Sequence, residues 1–205
     1  MSDAYRTVSE SATAEFVVQG SEFLGHVRPV ESVDAAESFV ETVREEYADA
    51  THNVPAYRVR TGDDGTEGHF LREYSSDDGE PSGSAGKPAL NVLTQQDLEN
   101  CAVVVTRYYG GTNLGVGGLV RAYSRAVKEA VEKAGIVEEH PHEQLRITVE
   151  YDDSGTVRSI LESEGYEFEA DYAAAVSFDV RVPLADGEAL RDRIRSATSD
   201  RADLE

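Results

Sequence analysis

Cys101–Thr106 reads CAVVVT, six residues without a charge, and RYYGGTNLGVGG follows it at once. A continuous apolar run of that length, bounded by turn formers, predicts a central strand covered on both faces. The five glycines within Gly110–Gly118 predict a sharp turn, because glycine alone turns freely or lets backbone amides approach another group closely. About Val116–Ala134 carries a helical stripe (Leu119, Tyr123, Val127, Ala130, Ala134), and Gly135 terminates it. Strand, glycine turn and helix follow one another here.

The remaining elements fall around this unit. Ala14–Gln19 and Glu22–Val30 predict a hairpin turning at Gly20-Ser21. Ser32 predicts an N-cap for a helix reaching about Tyr47, with Asp34 and Glu37 near its first turn. Val54–Arg60 alternates as a strand, Gly62–Gly65 reads as a turn, and Gly68–Glu73 as a returning strand. SSDDGEPSGSAGKP (Ser75–Pro88) holds no large apolar residue and predicts a loop. A short helix is expected over about Pro88–Thr94. His140-Pro141-His142 reads as a linker, which divides the chain into residues 1–139 and 143–205. Beyond the linker the expected order is a strand (Leu145–Tyr151), a helix (about Gly155–Glu164), a hairpin (Tyr166–Ala170 with Ala173–Val182), a helix (about Asp186–Ala197) and a short strand at Ala202–Leu204. That is the order of a ferredoxin-like domain, and the fold class is α+β.

Charge singles out one part of the chain. The 205 residues carry 19 Lys+Arg against 40 Asp+Glu, a net −21, and only three of the bases are lysines. An acidic, lysine-poor chain is what a halophilic cytoplasm tends to select, since a dense carboxylate surface stays hydrated in strong salt; the rival reading is an acidic protein that attracts basic partners. Between Asn100 and Lys128 there is no acid, yet Arg107, Arg121, Arg125 and Lys128 are present. Pro81–Lys128 holds five bases against two acids, a net +3, leaving −24 for the remainder. Burial alone would exclude the arginines as well as the acids. At 100° per residue Arg121, Arg125 and Lys128 fall within about 60° of one another, one basic stripe on the predicted helix.

A helix N-terminus presents unpaired N–H groups and a partial positive charge, which suit an oxyanion. The candidate anion or partner site is therefore Arg107, Tyr108, Gly110, Gly111, Gly115, Gly117, Gly118, Arg121, Arg125 and Lys128. The turn is neither a Walker loop, lacking Gly-Lys-Ser/Thr, nor GxGxxG, since position 120 is Val. The polar loop offers a second wall: Asp77, Asp78, Glu80, Ser82 and Lys87. Its three acids could alternatively hold Mg²⁺ beside Lys87 for a phosphorylated substrate. His52, His69, His140 and His142 show no zinc spacing, Cys101 has no CxxC partner, and GEPSGSAG does not fit the GxSxG elbow. No catalytic residue, metal or cofactor is assigned. No apolar stretch reaches the roughly 18 residues of a membrane span, the N-terminus does not read as a signal peptide, and the expected location is cytoplasmic.

At these residues the chain resembles a family. SDDGEPSGSAGKP and VVVTRYYGGTNLGVGGLVRAYSRAV, with Gly20-Ser21-Glu22-Phe23, Thr51-His52-Asn53 and Ala56-Tyr57-Arg58, resemble the YigZ/IMPACT family of uncharacterised and translation-linked proteins over roughly residues 15–135. The resemblance implies an N-terminal βαβ-rich sheet domain similar to one of a small-subunit ribosomal protein, with helices on one face. It also implies a C-terminal domain similar in shape to one of elongation factor G. The implied function is a non-enzymatic regulator that contacts RNA, the ribosome or a translation factor. The alternatives are a Mg-dependent enzyme acting on a small phosphorylated substrate and a purely protein-binding regulator.

Overall fold

The computed structural model describes residues 4–61 and 70–205. The expected turn at Gly62–Gly65, the start of the Gly68–Glu73 strand and His69 lie outside the described residues. The chain separates into two compact units, Tyr5–Glu139 and one built on His140–Glu205.

In the first unit a five-stranded antiparallel sheet is built from β2 (Ala12–Val18), β3 (Ser21–Pro29), β4 (His52–Thr61), β5 (Phe70–Ser75) and β6 (Cys101–Tyr108). The strand order is β2-β3-β6-β4-β5, which puts CAVVVT in the middle. Gln19 (φ +48) and Gly20 (φ +81) close the β2–β3 hairpin in two left-handed residues, the conformation that matches the twist of the flanking strands. A separate ribbon pairs β1 (Tyr5–Val8) with β7 (Ile136–Glu139).

Three helices cover the sheet. They are α1 (Val33–Glu46), α2 (Gly86–Gln95) and α3 (Gly115–Ala134). Ser32 caps α1, its hydroxyl accepting from the Ala35 N–H at 3.1 Å. Residues alternate along β6, so Cys101, Val103 and Val105 point into one core with α2 and α3. Ala102 and Val104 point into another with Phe39, Val40 and Val43 of α1. Helices on one face only, as the family resemblance implied, is therefore corrected: α1 lies on the face opposite α2 and α3. Strand alternation requires it, because a fully apolar strand presents apolar side chains both ways. Eight side chains of α3 are buried, Leu119, Tyr123, Val127, Ala130 and Ala134 among them. At Gly25 the contact between β3 and α3 is so close that a Cβ would stand 2.3 Å from the Ala126 carbonyl oxygen. The polar loop ends earlier than its composition suggests, since α2 already begins at Gly86.

The second unit runs β8 (His142–Val149), α4 (Tyr151–Glu164), β9 (Phe168–Tyr172), β10 (Val176–Pro183), α5 (Gly187–Thr198) and β11 (Asp203–Leu204). Its antiparallel sheet has the order β11-β8-β10-β9, the ferredoxin-like arrangement. Leu145, Ile147, Phe178, Val180, Leu161 and Ile194 fill the core between sheet and helices.

Candidate functional site

Three strands contribute one row of side chains at the end of the first sheet. Arg107 of β6 lies directly opposite Phe23 of β3 and His52 of β4, and residues paired this way point to the same face. The Arg107 guanidinium sits 5.4 Å from the Phe23 ring centre and 5.4 Å from that of Tyr109. It is 5 % exposed, so its charge needs a partner, and the polar loop brings one. Arg107 Nη1 donates to Glu80 Oε1 at 2.5 Å, and Glu80 is itself only 8 % exposed. The hydroxyl of Tyr123 on α3 donates to the same oxygen at 2.8 Å. Burial, then the Glu80 carboxylate, pushes the Tyr123 hydroxyl far above its ordinary range. Arg107 Nη2 donates to Ser21 Oγ (3.3 Å), which also accepts the Gly110 N–H at 3.1 Å. Arg107 Nε is buried without a hydrogen-bond partner among the described residues.

The Asp77-Asp78-Gly79-Glu80 segment welds this network to its surroundings. Asp77 accepts three backbone N–H groups, from Gly83 (2.7 Å), Ala85 (3.0 Å) and Gly86 (2.9 Å). It closes the loop onto the start of α2. Asp78 Oδ2 accepts the Asn53 N–H at 2.7 Å, and the Asp78 carbonyl accepts from His52 Nδ1 at 2.6 Å. A carbonyl cannot donate, so the proton of neutral His52 is on Nδ1, and Nε2 is left facing Glu80 Oε1 at 3.9 Å. Asp78 (φ +48) and Gly79 (φ +87) hold the left-handed turn that aims this carbonyl. All three acids expected to line a second wall, or to bind Mg²⁺, are thus engaged within the chain. No group of three His, Cys, Asp or Glu is placed to hold a metal among the described residues. Ser82 and Lys87 are exposed.

The expected anion site divides in two. Arg107 faces inward to Glu80. Tyr108, one residue on, points to the other side of the strand, where its hydroxyl donates to Asp49 Oδ1 at 2.9 Å. Gly110 is a packing glycine: a Cβ there would meet the Gly20 carbonyl carbon at 1.9 Å. What stays at the surface is the rest of the turn and the start of α3. Gly111 (φ +84) and Gly115 (φ +66) need their left-handed backbone, and space is open beside both. Leu114 precedes α3 without any side-chain cap, and Gly115, Val116 and Gly117 are exposed. The Arg121 guanidinium lies 3.4 Å from where a Gly117 Cβ would be. Arg125 is spread over the Phe16 ring (4.0 Å) and bonded to Glu129 at 2.6 Å. Arg121 and Lys128 are exposed, with no ion pair among the described residues.

Residues 19–131 match the Impact N-terminal domain, and residues 147–201 match a domain of unknown function, DUF1949. The chain belongs to the IMPACT family. IMPACT family member YvyE of Bacillus subtilis is 33 % identical over all of this chain and 91 % of its own length. IMPACT family member YigZ of Escherichia coli is 36 % identical over 82 % of this chain and 80 % of its own. The crystal structure of a hypothetical protein matches the whole chain and 97 % of its own at 28 % identity, with a TM-score of 0.67. Yih1, described as a two-domain translational regulator, is 30 % identical where 63 % of this chain meets 47 % of that one, with a TM-score of 0.38. The motifs of the polar loop, of the hairpin at Gly20-Ser21 and of the glycine turn lie within the first matched span. In space Glu80, Ser21 and the Gly110 amide from these motifs meet in one network around Arg107.

Sequence reading missed that network. Ser21 and His52 were visible only as members of short motifs, and Tyr123 only as an apolar-face residue. The signal available was the pairing of one buried-strand arginine with a glutamate in a loop otherwise bare of large side chains.

Proposed function

We propose that this protein is a non-enzymatic, translation-associated binding protein that takes a phosphate-bearing partner, RNA or ribosome, on the exposed glycine turn and the first turns of α3. The observation that carries this reading is the start of α3. Its amides have no side-chain cap, its first residues are exposed, and the Arg121 guanidinium stands beside Gly117. An uncapped helix start with an adjacent guanidinium suits a phosphate, and Arg121 and Lys128 extend the basic surface one to three turns further. Arg107, Glu80 and Ser21 support the site from behind by fixing Gly110 and the turn that leads into it. The translation setting rests on the family, which includes a relative described as a translational regulator.

The acidic composition restricts the mode of contact. Neutralising two phosphates, one each for Arg121 and Lys128, gives a slope of log K on log salt of about −1.8, and at about 1 M salt the screening length is only about 3 Å. Short-range bonds from amides and arginine must then supply the affinity. The test is co-sedimentation with ribosomes in high salt. Arg121→Glu/Lys128→Glu is expected to leave the pellet while the wild type stays in it, and equal co-sedimentation of the two overturns the reading.

A further inference from the structure

The second unit carries a surface with a different chemistry. Strand β9 is an edge: among the described residues it bonds to β10 and to no other strand. Alternate N–H and C=O groups along its outer side consequently face away from the sheet, as a free edge presents them to any extended chain. The side chains beside that edge alternate in kind. Glu167, Glu169 and Asp171 are exposed on one side, and Glu169 lies opposite Asp179 of β10. The nearby cation, Arg146, is committed to Asp179 by two bonds of 2.7 and 2.8 Å. Glu167 and Glu169 have no cation partner among the described residues. On the other side, at the end of β9, Tyr172 and Tyr151 are each 52 % exposed, with ring centres 6.4 Å apart. Arg158 holds the Tyr172 hydroxyl at 2.5 Å and so fixes its ring.

We propose that the outer edge of β9 receives an extended, basic peptide segment as an added strand. Its Lys or Arg side chains meet Glu167, Glu169 and Asp171, and its intervening side chains lie against Tyr172 and Tyr151. Backbone bonds along the edge supply affinity and the alternation supplies selectivity, the usual division of labour in strand addition. Charge argues against the other occupants. A second copy paired antiparallel along β9 would set carboxylates opposite carboxylates, which is destabilising, and a nucleic acid would meet the same repulsion. A basic segment is the complementary one.

The test uses the full chain and an eight-residue peptide of alternating lysine and valine, blocked at both ends. Binding is read by calorimetry and mapped by amide chemical shifts. The expected result has three parts: shifts concentrated in residues 167–173, at least tenfold weaker binding to Glu169→Lys/Asp171→Lys, and no binding of the glutamate–valine analogue. Strand addition further requires that N-methylation on one side of the peptide (either all valine or all lysine amides) weakens binding at least tenfold more than methylation on the other. That comparison uses the wild-type chain, so it stands even if the double variant misfolds. Equal binding of the two methylated peptides overturns the proposal in favour of plain charge attraction. Shifts mapping elsewhere overturn it too, as does sedimentation showing a dimer whose formation depends on β9.

Discussion

Arg107 and Glu80 close a 2.5 Å charge pair inside the first unit, from a strand and a loop 27 positions apart, and neither is more than 8 % exposed. The pair joins three pieces of chain that also carry the family motifs. Ser21 hangs on the arginine, and Tyr123 and the loop from Asp77 hang on the glutamate.

Removing either partner strands a buried charge, which costs about 3–5 kcal/mol. Arg107→Ala and Glu80→Ala are each expected to lose that much in denaturant titration. The double variant should lose clearly less than the sum, giving a coupling energy in a double-mutant cycle. A loss under about 1 kcal/mol for either single variant would contradict the pair's structural role.

The glycines separate by role. Gly110→Ala drives a Cβ into the Gly20-Ser21 backbone and should destabilise strongly or prevent folding. Gly117→Ala meets only the far end of Arg121 at 3.4 Å. There alanine gains up to about 1 kcal/mol of helix propensity. Midpoints of thermal unfolding for the two variants should move in opposite directions.

Acid stability depends on Asp77. Burial pushes its carboxyl up, but the amides of Gly83, Gly86 and Ala85 together outweigh this and hold it below its ordinary range. Its folded pKa lies under an unfolded value of about 3.9, so the unfolded chain takes the proton first. The contribution is full above about pH 4–5 and drains away as pH falls through the folded value. Asp77→Asn should be less stable at neutral pH and show a shallower acid slope when denaturation midpoints are compared from pH 6 to pH 3.

His26 sets a second window. Thr106 spends its hydroxyl proton on Asn53 Oδ1 (2.7 Å), so His26 Nε2 donates to Thr106 (3.3 Å) and Nδ1 accepts from Thr13 (3.1 Å). Burial lowers its pKa, and the Glu46 carboxylate opposes this more weakly. The fold prefers the neutral ring, so stability is full above an unfolded value of about pH 6.5 and declines below it. His26→Gln should flatten that decline. An NMR titration of the ring should place its midpoint below the ordinary histidine value of about 6.5.

Much of the fold could be read from local pattern. CAVVVT signalled its own double coverage, Ser32 its cap and Gly135 its helix end, because each depends on residues close in sequence. The candidate site was legible only at its surface. Arg121 and Lys128 stand out as bases on the exposed face of a helix, where periodicity decides orientation. Arg107 is also a base in an acid-free stretch, yet strand alternation turns it inward to an acid that no nearby residue announces. Asp77 and Asp78 read as acids of a second wall for the same reason: their partners are amides, and amides have no letter in a sequence.

The two-sided covering of the first sheet bears on how anything can approach it. With α2 and α3 against one side of β6 and α1 against the other, the middle of the sheet offers no platform on which a flat base or a peptide could be laid. Recognition is left to the rim, where the chain enters and leaves its strands. On the function proposed above, a partner would meet loop ends and a helix start, and its fit would depend on how rigidly those ends are moored to the interior.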